Sequence, residues 1–157
     1  FSFYSAFSLR ENSQEFGLFI FLFLIIVSVS TDIGGFTFGK IFKGPKLTKI
    51  SPKKTYSGMI GGYFLSIIIL SIFLTSPYIP KPTDITTDIF IFILLVSTIS
   101  QIGDIIISYF KRLSKIKDTG KLIPGHGGIL DRIDGMVFAF PFYFIFYLIF
   151  NQWWKKN

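Results

Sequence analysis

The sequence predicts an all-α fold, a polytopic transmembrane helix bundle with polar cytoplasmic loops. Three observations point to it. Half of the 157 residues are hydrophobic and 21 are Phe, unlike an ordinary soluble domain. The apolar residues gather into four long runs. The basic residues gather between those runs instead of spreading over the chain.

The first run, Phe16 to Ser30, follows Glu11 and Glu15. It is short for crossing ~30 Å of hydrocarbon at ~1.5 Å per residue, so little tilt or a local thinning of the bilayer is expected. Gly34, Gly35 and Gly39 are expected to break this helix, and Gly44-Pro45 and Ser51-Pro52 punctuate the connection that follows. The second run, Ser57 to Ser76, opens on small residues, with Gly58 and Gly62 in the GxxxG spacing that favours close helix packing in lipid. Pro77, Pro80 and Pro82 prevent a helix ahead of the third run, Ile85 to Ile107. The fourth run, Ile133 to Phe150, follows a glycine-rich loop. The whole of 1–157 reads as a single membrane-embedded region.

Charge sets the orientation. One connection carries Lys40, Lys43, Lys46, Lys49, Lys53 and Lys54, and another carries Lys111, Arg112, Lys115, Lys117, Lys121 and Arg132. The connection between them, Pro77 to Asp84, has only Lys81. Two crossings separate the basic loops, so both fall on one side, cytoplasmic by the positive-inside rule, and both termini lie on the other. The net charge of +7 therefore sits beside a bilayer, which argues for a membrane surface or a phosphorylated small molecule and against nucleic acid. With no Cys, a disulfide framework, a thiolate metal site and a Cys nucleophile are excluded.

Ionisable groups inside a span cost ~2.5–3.5 kcal/mol or more each near the bilayer centre and usually face a bundle interior or a wet cavity. Ser97, Gln101, Asp104 and Ser108 fall on one face of the third run, and that face continues to Lys111, Arg112 and Lys115. Asp131, Arg132 and Asp134 open the fourth run, where the two acids share the first turn. Ser28 and Asp32 share a face at the end of the first helix, ahead of Gly34-Gly35. The bland readings are an interhelical hydrogen-bond seam, an N-cap and a helix-end acid.

Asp104, Asp131 and Asp134 supply the oxygen ligands that Mg²⁺ takes, usually one or two carboxylates completed by water and substrate phosphates. The basic loops supply charge clamps of the kind that phosphoryl-type transfer uses. In Lys121 to Arg132, Pro124, Gly125, Gly127 and Gly128 surround the single histidine, His126, favouring a tight backbone wrap with N–H groups available to an anion. His126 is open to three roles: general base, metal ligand or turn-stabilising partner. Serine-triad chemistry is unsupported, because no Gly-x-Ser-x-Gly elbow accompanies it.

Ser108-Tyr109-Phe110-Lys111-Arg112, Lys117-Asp118-Thr119-Gly120, Pro124-Gly125-His126-Gly127-Gly128 and Asp131-Arg132-Ile133-Asp134 together resemble the signature of the phosphatidate cytidylyltransferase (CDP-diglyceride synthase) family, in order and spacing. Gln101-Ile102-Gly103-Asp104 resembles the acidic motif ahead of that signature. Asp32 to Thr55, with Gly39-Lys40 and Ser51-Pro52-Lys53-Lys54-Thr55, resembles a further family region. The resemblance covers the chain from about Phe16 onward. One position departs: Ser57 stands where the family usually has Glu.

The resemblance implies attack of the phosphatidic acid phosphate on the α-phosphorus of CTP, giving CDP-diacylglycerol and pyrophosphate, with Mg²⁺ required and room for a second cation. It implies Asp104 and Asp131 as metal ligands, with Asp134 assisting. Lys111, Arg112, Lys117, Lys121 and Arg132 are implied for phosphate and headgroup contacts, followed by Lys53 and Lys54. Asp118 is expected to orient a loop lysine, and Asp32 to support the nucleotide or a metal ligand. The expected partners are CTP, phosphatidic acid, the lipid bilayer and a second copy in a homodimer. The expected location is a bacterial inner membrane with the site facing the cytoplasm. The family usually has further hydrophobic segments ahead of this region, and the chain opens on Phe1 with no cleavable signal pattern, so a C-terminal portion of a longer enzyme is expected. Two alternatives use the same features: a cytidylyltransferase for an ether lipid, and a non-catalytic anion-binding membrane protein.

Overall fold

The computed structural model describes residues 1–12, 17–48, 51, 54–75, 87–116, 119–120, 128 and 133–154. All named elements among them are helices: α1 (Ser2–Asn12), α2 (Gly17–Phe42), α3 (Tyr56–Thr75), α4 (Thr87–Leu113) and α5 (Met136–Trp154). The all-helical expectation is met, and α2, α3 and α4 are each long and apolar enough to cross a membrane.

The first helix differs most from its expectation. Instead of ending near Ser30 and breaking at the glycines, α2 runs unbroken to Phe42. The glycines serve an interface. A Cβ on Gly34 would lie 2.4 Å from the carbonyl oxygen of Gly61, and one on Gly58 would lie 2.6 Å from that of Gly35. Backbone therefore meets backbone between α2 and α3, the most extensively packed pair among the described helices. Glycine costs a helix about 1 kcal/mol relative to Ala, and close packing of the two backbones offsets it where water is absent. The GxxxG reading of Gly58 and Gly62 holds, and its partner is the glycine face of α2.

The fourth run also differs. α5 begins at Met136, and its apolar part, Met136–Ile149, is shorter than the three long helices. Pro141 lies inside it. α1 was not among the expected elements. Ser5, Ser8 and Leu9 are buried in it, and Ser2 Oγ donates to the carbonyl oxygen of Val137 at 2.6 Å, tying it to the start of α5.

The core is built from Leu24 and Val27 of α2, Leu70 of α3, Ile93 and Val96 of α4 and Ala139 of α5, all fully buried. Phe92 joins the layers, stacking on Phe23 at 5.8 Å between ring centroids and meeting Tyr143 edge-on at 5.4 Å. Outward faces stay apolar, with Phe64 and Ile72 on α3 and Ile91 on α4 exposed, as suits a lipid surround.

Helix ends shape the site. α2 stops at Lys43 and α4 at Lys115, each in the left-handed region with φ 46° and 55°. At α4 the Ile116 N–H returns to the Lys111 carbonyl at 3.0 Å, a Schellman-type closure. The connection into α3 folds back on itself: Tyr56 N–H donates to Pro45 O at 3.1 Å, Leu47 N–H to Lys54 O at 2.8 Å, and Lys46 pairs antiparallel with Thr55. Thr55 Oγ1 accepts the Gly58 N–H at 3.1 Å, capping α3.

Candidate functional site

α2, α3 and α4 enclose a cavity of about 680 Å³ at the end of the bundle where the α2–α3 connection folds back. Its polar lining includes Thr31 and Asp32 of α2, Lys54, Gln101, Asp104 and Ser108 of α4, and Asp134. Its apolar lining includes Val29, Ile33 and Phe36, whose side chains are also exposed on the outer surface of α2. The cavity therefore combines charged groups with apolar side chains that are also exposed on the surface.

The polar face read from α4 is real and points inward. Ser97 is buried and shares a 2.8 Å hydrogen bond with Thr31 Oγ1, while Gln101 Nε2 donates to Met59 O at 3.5 Å. Asp104 sits one turn further along. Its Oδ1 accepts from Ser108 Oγ at 3.4 Å, and its Oδ2 pairs with Lys54 Nζ. That ion pair brings Lys54 of the first basic connection onto α4, the helix whose last turn carries Lys111 and Arg112.

Asp134 lies in the turn ahead of α5, not within its first helical turn as expected, and accepts the Gly135 N–H at 3.1 Å. Lys111 Nζ stands 3.7 Å from its Oδ2, and the two side chains are only 14 % and 8 % exposed. Burial, followed by the negative charge of neighbouring Asp104, pushes the Asp134 carboxyl up to about 6, against the pull of Lys111 and the Gly135 N–H. Asp32 was expected at a helix end. It lies well inside α2, because that helix continues, and it interacts electrostatically with Asp104, Asp134 and Lys54.

The structure thus brings Asp32, Lys54, Asp104, Lys111 and Asp134 together. Arg112 is exposed at the end of α4 and is not among the residues lining the cavity. Lys53, Lys117, Asp118, Lys121, His126, Asp131 and Arg132 lie outside the described residues. Among the described residues, no group of three or more His, Cys, Asp or Glu is arranged to hold a metal. Asp104 and Asp134, near enough for their side chains to interact, still match Mg²⁺, which takes one or two carboxylates and leaves its other positions to water and phosphate. The exposed apolar lining was missed in the sequence, where Val29, Ile33 and Phe36 look like any other apolar residues of a span.

Residues 1–150 match the profile of the family described as the cytidylyltransferase family. Among curated proteins, the chain is similar to the phosphatidate cytidylyltransferase of Brucella suis, 39% identical over 146 residues that cover 92% of this chain and 53% of the relative. It is also similar to the protein of that name from Bacillus subtilis, 35% identical over 146 residues, covering 90% and 52%. The Haemophilus influenzae protein of that name is 40% identical over 134 residues, covering 83% and 46%. The chain spans about half the length of the curated relatives it matches.

Proposed function

We propose that this chain, which belongs to the cytidylyltransferase family, carries the reacting centre of a phosphatidate cytidylyltransferase. The reaction joins CTP to phosphatidic acid. A phosphate oxygen of the lipid attacks the α-phosphorus, the bond from that phosphorus to the β-phosphate oxygen breaks, and pyrophosphate leaves with the electron pair. The product is CDP-diacylglycerol.

The observation that carries this reading is one cavity lined both by Asp104, Asp134 and Lys54 and by the exposed apolar side chains of Val29, Ile33 and Phe36. A nucleotide needs the first surface and a lipid tail suits the second. Asp104 and Asp134, with Asp131, are the residues that would hold Mg²⁺. That ion would supply charge neutralisation for the phosphates and a fixed template for in-line attack. Lys54 and Lys111 keep the two acids compensated and stand ready to pair with incoming phosphate oxygens. Lys117, Lys121 and Arg132 are proposed for the same clamp, and Asp32 supports Asp104 and Lys54 from α2. The net positive charge of the two connections favours both anionic substrates and supports a cytoplasmic-facing site in an inner membrane.

Membranes carrying the protein, supplied with labelled CTP, Mg²⁺ and phosphatidic acid, are expected to form a lipid-soluble cytidine product, and chelation of the cation abolishes it. Equal labelling without added phosphatidic acid in lipid-depleted membranes contradicts the assignment of substrate.

A further inference from the structure

Lys54 reaches Asp104 from a connection that is not itself helical, so something other than helix geometry must aim it. Its side chain and that of Asp104 are 22 % and 25 % exposed, too open for packing alone to lock the pair. The aim comes from the backbone. Lys54 N–H donates to Ser51 O at 3.0 Å, and Lys54 O accepts from Leu47 N–H at 2.8 Å. The returning ladder continues through Lys46 with Thr55 and Pro45 with Tyr56. At its root stands Ser57, whose Oγ accepts the Gly44 N–H at 3.2 Å and lies 3.0 Å from Thr55 Oγ1, the cap of α3. A hydroxyl gives one hydrogen bond and can accept two, so Ser57 Oγ accepts from the Gly44 N–H and donates to Thr55 Oγ1, which also accepts from the Gly58 N–H. The contact is close: a Cβ on Gly44 would lie 3.0 Å from Ser57 Oγ.

We propose that Ser57 is a positioning residue whose hydroxyl clamps the root of the 43–55 connection to α3 and thereby aims Lys54 at Asp104. The role in catalysis rests on the functional reading above, whereas the geometry does not. A side chain with only a hydroxyl holds this root through hydrogen bonds to a backbone amide and a neighbouring cap. Removing it leaves the Gly44 N–H without its acceptor, opens the first rung of the ladder and lets Lys54 wander from Asp104.

The test reads position and turnover separately. The chain has no native cysteine, so Lys54→Cys with Asp104→Cys gives a unique pair for a short bismaleimide in membranes. Efficient cross-linking is expected, falling about threefold or more when Ser57→Ala is added and retained with Ser57→Thr. Gly44→Ala approaches the same contact from the other side and is expected to act as Ser57→Ala does, which covers the case of a poorly folding variant. In otherwise native protein, Ser57→Ala is expected to lower kcat/KM for CTP about 5- to 10-fold with little change in Tm, with rescue by Thr. It is expected to add less than about twofold to Lys54→Gln, because both act on one pair. Unchanged cross-linking in both Ser57→Ala and Gly44→Ala, or an effect of Ser57→Ala that adds in full to that of Lys54→Gln, overturns the proposal. If the wild type transfers no CTP, the functional reading fails while the cross-linking yields still decide whether Ser57 positions Lys54.

Discussion

Lys54 at the end of the α2–α3 connection forms an ion pair with Asp104 inside α4, so a loop cation and a helix anion from distant parts of the sequence compensate each other at the cavity. A carboxylate already paired with an ammonium is a poorer cation ligand until that ammonium leaves. Lys54→Gln is therefore expected to tighten Mn²⁺ binding without nucleotide by about fivefold, a modest factor because the pair is partly exposed. The same change lowers CTP transfer by about 10-fold or more. Mn²⁺ titration followed by electron paramagnetic resonance checks it, and weaker metal binding contradicts it.

Asp134 gives a pH dependence. Its carboxyl is raised to about 6 by burial and by Asp104, so it gains a proton as pH falls through that value and not near the ordinary carboxylate range. A protonated carboxyl is a poor metal ligand. Mn²⁺ affinity is expected to be flat above about pH 7 and to weaken about tenfold per unit below about 6. A midpoint near 4 contradicts this environment for Asp134.

The glycine interface separates two adjacent positions. Gly34→Ala places a methyl group 2.4 Å from the Gly61 carbonyl oxygen, against backbone that cannot turn aside, whereas Gly35→Ala meets Gly58 O at an ordinary 3.7 Å. Gly34→Ala is expected to cost about 1–3 kcal/mol, and Gly35→Ala to be neutral or to gain up to about 1 kcal/mol from helix propensity. Thermal unfolding in detergent checks the contrast, and equal Tm values for the two variants contradict it.

Lys111 and Arg112 are neighbours in sequence with different surroundings. Lys111 reaches Asp134, while Arg112 is exposed. Lys111→Gln is expected to lower kcat/KM for CTP about 10-fold or more, and Arg112→Gln about threefold or less. Steady-state kinetics on the two variants decides it, and a larger loss at Arg112 contradicts the ordering.

The helical class, the apolar helices α3 and α4 and the inward polar face of α4 were legible because apolar run length and a four-three-four polar spacing depend only on helix geometry. The length of α2 was not legible. Gly34, Gly35 and Gly39 carry a helix-breaking signal along the chain, and only the partner surface of Gly58, Gly61 and Gly62 overrides it. Asp32 moved from a helix end to a helix interior for the same reason. The site acids were legible as ionisable residues in costly places, but the pairing of Lys54 with Asp104 and of Lys111 with Asp134 depends on how loops return onto helices, which no local pattern encodes. Ser57 read as a lost acid in the sequence, whereas its hydroxyl is engaged with Gly44 and Thr55.

Attack of a lipid phosphate at the cavity between α2, α3 and α4 would leave the α-phosphorus of CTP in the lipid and release the other two phosphates. Parallel reactions with α-³²P and γ-³²P CTP in membranes carrying the protein distinguish the two fates. The α label is expected to enter a lipid product and the γ label to leave as pyrophosphate in equal amount, with both lost in Asp104→Asn. Label from the γ position in lipid, or no lipid labelling by folded protein supplied with Mg²⁺ and phosphatidic acid, contradicts attack at the α-phosphorus.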